Sequence, residues 1–244
     1  MAVIALQLRE HYCVIAADGA EVEGRTGLVR CIRSAMVCMP DLNALVAVTG
    51  PRGMAEFITL HTPQHVRDHD TLVDALPSML ASALQSSASQ QFGFRERPPS
   101  GIVIVGWSSR KKRFVAQRAK LRPKLVSKSG APVPLEMEEI SAATIWRNFT
   151  TTPGTRGDLD LDRDDNDDMD RLVRNVWAAR MHHAAGPTSK PVAGGFIQLA
   201  VLRQDLQRTW IAHRWEADRI GAIIDTSKDG PMPSRFFSGV ASFP

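Results

Sequence analysis

The stretch AVIALQLREHYCVIAADG (residues 2–19) contains two apolar runs, residues 2–8 and 12–18, on either side of the polar tripeptide REH. Runs of this length, rich in Val, Ile and Ala and bounded by polar residues, predict β-strands joined by a tight turn or bend. The second run ends at Asp18 and Gly19, a pair that is typical of a turn. We therefore expect this part of the chain to form a first hairpin or one bent pair of strands.

The segments that follow predict further strands and then two helices. An extended pattern leads into NALVAVTG (residues 43–50), a continuous apolar strand of the kind that is buried on both faces. The apolar period then changes to that of a helix at residues 54–61, and again at residues 70–90. Asp70 or Thr71 is the expected cap of the second helix.

The second half of the chain predicts two strand pairs separated by two helices. Residues 100–119 indicate two strands joined by a charged turn, and residues 135–149 (LEMEEISAATIWRNF) a short helix. A strong apolar stripe predicts a helix at residues 167–186, followed by strands at residues 194–205 and 208–215. This order favours an α+β fold, with sheets packed between helix layers in a single domain.

Composition indicates a soluble globular protein of 244 residues that is 43% apolar, without a membrane span or export signal. Three cysteines are too few for a disulfide framework, so a reducing, cytoplasmic compartment is expected. The net charge of +4 is scattered apart from a basic cluster around Lys111. We interpret that cluster as a solvated hairpin, and expect no nucleic-acid partner, no membrane and no cofactor.

Four segments resemble, in order and spacing, the proteasome family of N-terminal nucleophile hydrolases. They are VIALQLREHYCVIAADG, ALVAVTGPRGMAEFI, GIVIVGWSSRKKRFVAQ and AGGFIQLAVLRQD, and the resemblance covers residues 2–112 and 167–215. It implies a four-layer α-β-β-α sandwich, with two antiparallel sheets between helix layers, in subunits that assemble into rings. Residues 1–225 would form one proteasome-like domain with an atypical insertion around residues 120–166, and residues 226–244 a C-terminal arm.

The resemblance also implies where the family's chemistry would lie. In that family a threonine at the mature N-terminus is the nucleophile, and its own amine assists as the base. Asp18 matches the aspartate that helps to organise the site, and Gly50 matches the glycine whose backbone N–H lies near the oxyanion. Met1 stands about where the threonine is expected, and neither it nor Ala2 has a nucleophilic side chain.

A second departure concerns the lysine that the family places after the Asp-Gly turn. The sequence has no lysine before Lys111, and Arg30 and Arg33 stand in that region instead. A permanently charged guanidinium cannot take part in proton transfer. We therefore expect that the fold is kept while the chemistry is lost, with no catalytic residues beyond the remnants Asp18 and Gly50.

These expectations favour a structural or assembly subunit that self-associates, as a ring or within a larger assembly such as a bacteriophage virion. Two alternatives stay open. The first alternative is an amide hydrolase of the superfamily with an unrecognised nucleophile, which predicts a processed N-terminus and covalent labelling by an electrophile. The second alternative is a polyanion-binding module, which predicts binding that weakens steeply with salt.

Two groups of residues suggest metal ligands, and in both cases a structural interpretation is preferred. Aspartates alternate in an acidic stretch, but Arg163 and Met169 occupy positions where an EF-hand requires glycine and glutamate. The candidate ligands are Asp158, Asp160, Asp162 and Asp164. Histidines also recur every four residues, at His61, His65 and His69, but Pro63 argues against one continuous helix through them.

Phenylalanines in the last residues predict a contact surface. Phe236, Phe237 and Phe243 lie in a segment otherwise rich in Gly, Pro and Ser, and a disordered tail rarely keeps three aromatic residues. We expect this arm to dock on its own domain or, with slight preference, on a neighbouring subunit. Cys13, within the first hairpin, is expected to be a core cysteine rather than a nucleophile.

Overall fold

A computed structural model gives the fold for most of the chain. It describes residues 3–23, 26–49, 53–85, 101–120, 136–140, 143–147, 150–153, 165–184 and 193–233. All statements below refer to these residues.

The described residues form a mixed α+β structure that consists mostly of strands. The strands are β1 (Val3–Leu8), β2 (Tyr12–Asp18), β3 (Ala20–Val22), β4 (Val29–Ile32), β5 (Met36–Met39), β6 (Ala44–Thr49), β7 (Gly101–Ser108), β8 (Arg113–Lys120), β9 (Glu136–Ile140), β10 (Ala143–Arg147), β11 (Thr150–Pro153), β12 (Phe196–Arg203) and β13 (Gln207–Arg214). The helices are α1 (Gly53–His61), α2 (His69–Gln85) and α3 (Asp165–Ala184), with short 3-10 turns at Pro40–Leu42 and Thr226–Lys228.

In the described part of the chain the strands form three antiparallel sheets, where the sequence predicted two. The larger sheets have the orders β11-β10-β1-β2-β12-β13 and β5-β6-β7-β8-β9, and β3 pairs with β4 in a small third sheet. β1 pairs with β2 as the opening segment predicts, with Ile4 opposite Ala17 and Leu6 opposite Ile15. The third sheet forms because β3 follows directly after the Asp-Gly turn and pairs with β4 as a short hairpin.

Three large apolar clusters hold the two larger sheets and the helices together, and a small fourth cluster packs β3 and β4. Alternate β1 residues face opposite ways, so that Ile4 and Leu6 pack with residues of β6 and β7, while Val3 and Ala5 pack under α3. A third cluster joins α1 and α2 to the five-stranded sheet. The strands of the first hairpin are therefore buried on both faces, which explains their nearly continuous apolar sequence.

The helix predicted at residues 135–149 is wrong, because this segment supplies two strands. β9 pairs with β8 at one edge of the five-stranded sheet, and β10 pairs with β1 in the six-stranded sheet. Thr144, Ile145 and Trp146 are β-branched or aromatic residues, which favour extended backbone. Tertiary pairing with strands far away in the sequence decides the conformation here.

The cap of α2 also differs from the prediction. Asp68, rather than Asp70 or Thr71, precedes the helix, and its Oδ1 accepts the backbone N–H of Thr71 at 2.8 Å. The Thr71 hydroxyl in turn accepts the N–H of Asp68 at 3.1 Å. This reciprocal pair satisfies two backbone donors at the helix start, as in a capping box. The Asp70 carboxylate is thereby left for other partners.

Candidate functional site

Asp18 occupies the centre of the region that the resemblance implies as a site. Its side chain is completely buried at the end of β2. Oδ1 accepts the backbone N–H of Val3, at the start of β1, at 2.7 Å. Oδ2 lies 3.3 Å from the backbone nitrogens of both Ala20 and Gly194. One carboxylate therefore joins the start of β1, the third sheet and the loop before β12.

Gly19 follows Asp18 at a place where no side chain fits. A Cβ there would lie 2.4 Å from the ring of Phe196, far inside van der Waals contact. Its N–H donates to the Phe196 carbonyl at 2.8 Å, and its own carbonyl accepts the N–H of Arg33 at 2.8 Å. A backbone hydrogen bond thus joins the Asp-Gly turn to Arg33.

Arg30 and Arg33, the arginines that follow the Asp-Gly turn, both form ion pairs with glutamates. Nη2 of Arg30 lies 2.8 Å from Oε1 of Glu23. Nη1 of Arg33 lies 3.5 Å from Oε2 of Glu56 in α1, and about half of each of these two side chains is exposed. Neither guanidinium can act as a base, because arginine stays protonated in proteins. These two residues therefore contribute surface ion pairs rather than proton transfer.

Ser34 follows Arg33 in the sequence, and the contacts of its hydroxyl are structural. Its Oγ accepts the N–H of Met36 at 2.9 Å and lies within hydrogen-bond range of Oε1 of Gln198 and of the Met36 carbonyl. These partners, taken among the described residues, are amide and carbonyl groups. No imidazole or amine among them would activate the hydroxyl as a nucleophile.

A buried arginine supports the loop before β12, and sequence reasoning missed it. Arg180 in α3 is fully buried and donates to both oxygens of Asp218 and of Asp229 at 2.6–3.0 Å. Asp218 also accepts the N–H of Gly195 at 2.6 Å. The guanidinium carbon lies 4.4 Å from the ring centre of Trp215. The sequence signal was an arginine within the apolar stripe of an amphipathic helix.

A second buried carboxylate anchors the other end of α3. Asp168 is 1% exposed and accepts from both Nε and Nη2 of Arg9 at 2.8 and 2.9 Å. The Tyr12 hydroxyl donates to it at 2.9 Å, and Nη2 of Arg171 at 2.8 Å. The polar turn between β1 and β2 is therefore fixed to the first turns of the helix.

Cys13 lies in the core, as predicted. It is fully buried in the cluster between the two larger sheets. Burial raises the pKa of its thiol well above the usual value. Because the thiolate is the reactive form, this position disfavours nucleophilic chemistry.

The remaining candidate residues are separated or lie outside the described part of the chain. α1 ends at His61 and α2 begins at His69, so the three histidines do not share a helix. Among the described residues, no group of three or more His, Cys, Asp or Glu side chains could hold a metal ion. The following candidates lie outside the described residues: Met1, Gly50, Asp158, Asp160, Asp162, Asp164, Phe236, Phe237 and Phe243.

Comparison of the chain with protein-family models and with curated proteins finds no match. Within the described ranges, no helix combines the length and the apolar composition needed to cross a membrane. The geometry of the site therefore has to be interpreted by itself. The site consists of a buried carboxylate that accepts backbone N–H groups, two arginines in ion pairs and a serine bonded to amide and carbonyl groups. These contacts hold backbone segments in place.

Proposed function

We propose that the protein is a non-catalytic, proteasome-like subunit that acts as a structural or assembly protein in a homo-oligomer or larger complex. The observation that carries this proposal is the ion pair of Arg33 with Glu56, since the backbone N–H of Arg33 is bonded to the Asp-Gly turn at the Gly19 carbonyl. Arg33 follows the Asp-Gly turn, where the proposed family places a lysine that lowers the effective pKa of the nucleophile and stabilises charge, and its guanidinium cannot take part in proton transfer. The proposal extends to a bacteriophage virion as one setting for such a complex.

The proposed fold is the four-layer α-β-β-α sandwich of that family. Its support comes from the three apolar clusters, of which one lies under α3, one between the larger sheets, and one under α1 and α2. Side chains of β1 contribute to two of these clusters by alternation along the strand. The small third sheet is an addition at the Asp-Gly turn.

Exposed apolar side chains support self-association. Ile220 and Ile223 are 66% and 60% exposed and lie three residues apart in the segment after β13. A second subunit that covers these side chains would remove their apolar surface from water, which favours association. Stable interfaces bury roughly 800 Å² on each partner. The polar loop around Gln64, between α1 and α2, offers an exposed position for comparison.

The test is the oligomeric state of the purified chain, measured by native mass spectrometry and by electron microscopy of the particles. We expect a closed homo-oligomer, and we expect Ile220→Asp to shift it toward smaller species. Gln64→Asp is the matched control, because it adds the same charge at an exposed polar position, and it should leave the assembly unchanged. A wild-type protein that stays monomeric at micromolar concentrations would contradict the proposal.

The hydrolase alternative is tested on the same sample. A peptide epoxyketone forms a covalent adduct with an N-terminal nucleophile, and intact mass reports both the adduct and any processing of the N-terminus. We expect no adduct and no mass increase. A stoichiometric adduct would replace the proposal with a peptidase. Binding to heparin that weakens steeply between low and physiological salt would instead favour the polyanion-binding alternative.

A further inference from the structure

Strand β13 (Gln207–Arg214) is the last strand of the six-stranded sheet, and one of its two edges has no strand beside it among the described residues. Its other edge pairs with β12. The edge of a sheet presents a row of backbone N–H and C=O groups that matches the backbone of another extended segment. Sheets recruit a further strand through such a row, so the open edge of β13 is a candidate interaction surface.

The hairpin turn before β13 identifies which of its backbone groups face the open edge. The N–H of Arg203 donates to the carbonyl of Leu206 at 2.7 Å, and the N–H of Leu206 donates to the carbonyl of Arg203 at 3.4 Å. These two residues therefore form a hydrogen-bonded pair, and hydrogen-bonded and non-hydrogen-bonded pairs alternate along an antiparallel ladder. The alternation assigns outward-pointing backbone groups to the following residues of β13: Gln207, Thr209 and Ile211.

These outward groups are unpaired in the described part of the chain. None of the backbone hydrogen bonds there reaches the outward N–H or C=O of Gln207, Thr209 or Ile211. The side chains of Thr209 and Ile211 are also exposed, that of Ile211 to 39%. Beyond Ile211 the register shifts at a bulge opposite β12. The regular open edge thus consists of residues 207–211.

The side chains along this edge favour pairing with a further strand. Trp210 is partly buried against the cluster under α3, and Arg208 shares its face by alternation. Thr209 lies opposite Ala200, which belongs to the cluster between the larger sheets, so Thr209 and Ile211 are on that face. Both faces therefore carry β-branched or aromatic residues, which suit extended backbone.

A second copy of β13 fits this edge in an antiparallel register. With a two-fold axis at Thr209, this residue lies opposite its own copy, and Gln207 lies opposite Ile211 of the second copy. All three outward-pointing residues then stand in hydrogen-bonded pairs, and each pair exchanges both of its backbone bonds. A two-fold axis at Trp210 would leave the outward groups of Gln207 unpaired, because its partner would lie beyond the bulge.

The charges of the edge also favour a second copy over an acidic segment of another protein. Arg208 is the single charged residue of the stretch 207–211, so an acidic strand would meet one cation there. In the two-fold register Arg208 lies opposite Trp210 of the second copy, where a guanidinium over an indole ring is favourable. Threonines opposite each other are likewise a favourable cross-strand pair. No like charges stand directly opposite in this register.

We propose that β13 pairs with β13 of a second copy about a two-fold axis at Thr209, so that two six-stranded sheets join into one continuous sheet. This inference rests on the self-association proposed above and names one surface that mediates it. The contact is isologous, because the same strand lies on both sides. A closed assembly that uses it in every subunit therefore contains an even number of subunits.

The first test compares Thr209→Pro with the wild type by analytical ultracentrifugation and native mass spectrometry. Proline is tolerated on an edge whose N–H points outward, because it removes no bond to β12. We expect the dissociation constant of this contact to rise about tenfold or more, since both central hydrogen bonds are lost. Thr209→Ala is the matched control, because it removes the same side chain but keeps the N–H, and it should associate nearly as tightly as the wild type.

The outcomes separate this inference from the proposed function. An oligomeric wild type with an odd number of subunits, or unchanged association of Thr209→Pro, would overturn the pairing of β13 and leave the proposed function standing. A wild type that stays monomeric would overturn both.

A second test keeps the inference falsifiable if Thr209→Pro fails to fold. The Cα atoms of a hydrogen-bonded antiparallel pair are about 5.5 Å apart, a separation that a disulfide spans. Oxidation of Thr209→Cys with copper phenanthroline should therefore give a covalent dimer on a non-reducing gel. Gln64→Cys, at an exposed position between α1 and α2, should give no more dimer than the wild type. Absence of the Thr209→Cys link, or a link to a different polypeptide, would overturn the inference.

Discussion

Replacement of the buried Arg180 tests how the loop before β12 and the segment after β13 are held. In Arg180→Met, four hydrogen bonds to carboxylate oxygens and one to the Ala193 carbonyl disappear. Asp218 and Asp229, whose side chains are 1% and 2% exposed, then face each other without the cation between them. Breaking a buried pair by removal of one partner costs about 3–5 kcal/mol.

Urea unfolding followed by tryptophan fluorescence measures this cost. Trp215 lies directly beside the guanidinium, so its emission reports on this region. With a slope of about 2 kcal/mol per molar urea, a loss of about 4 kcal/mol lowers the midpoint by about 2 M. Adding Asp218→Asn and Asp229→Asn to the variant should recover part of the loss, because the uncompensated charges are then gone.

The control is Arg30→Met, which removes an arginine with a well-formed ion pair on a partly exposed surface. Arg30 and Glu23 are 40% and 33% exposed, and such pairs contribute less than about 1 kcal/mol. If Arg180→Met costs no more than this control, the buried network does not hold the segment and the reasoning is refuted.

Three further predictions follow from buried groups. Asp18→Ala leaves three backbone N–H groups without the carboxylate that accepts them. The free energy of unfolding, measured by urea titration, should fall by about 3 kcal/mol or more in this variant and by less in Asp18→Asn. Burial raises the pKa of Cys38 to about 11 and holds the pKa of the fully buried Cys13 well above its usual value, so a thiol reagent at neutral pH should label Cys31 first and Cys13 only on unfolding; rapid labelling of Cys13 in the native protein would contradict this. Burial lowers the pKa of His69 in the folded chain, so the unfolded chain binds more protons as the pH falls below 6.5. The free energy of unfolding of the wild type should therefore drop between about pH 7.5 and 5 more steeply than that of His69→Asn.

The first hairpin, strands β6 to β8 and helix α3 could be predicted because their apolar patterns are local. Residues 12–17 form an uninterrupted apolar run, and Leu172, Val173 and Val176 recur at helical spacing. β9 and β10 could not be predicted in this way. Trp146 pairs with Ile4, a residue 142 positions earlier in the chain, and no local pattern encodes such a partner.

The candidate site shows the same division. Asp18 could be singled out because an Asp-Gly pair ends an apolar run, but its three backbone donors come from separate parts of the chain. The partners of Arg180 lie 38 and 49 residues away, in a segment whose sequence carries only ordinary loop residues. His69 was noticed for its spacing to other histidines, whereas its environment depends on Gly106, which lies on a distant strand.

The contacts of Asp18 give the Asp-Gly turn a structural role that is independent of any chemistry. The residue at position 18 must accept N–H groups from Val3, Ala20 and Gly194 in a site closed to water. A short side chain with two acceptor oxygens meets this need, and a residue without acceptors leaves all three donors unsatisfied. Gly19 is required in the same way by the ring of Phe196. Packing and backbone hydrogen bonding therefore account for both residues of this turn, whereas the half-exposed ion pair of Arg33 with Glu56 places no comparable demand on the fold.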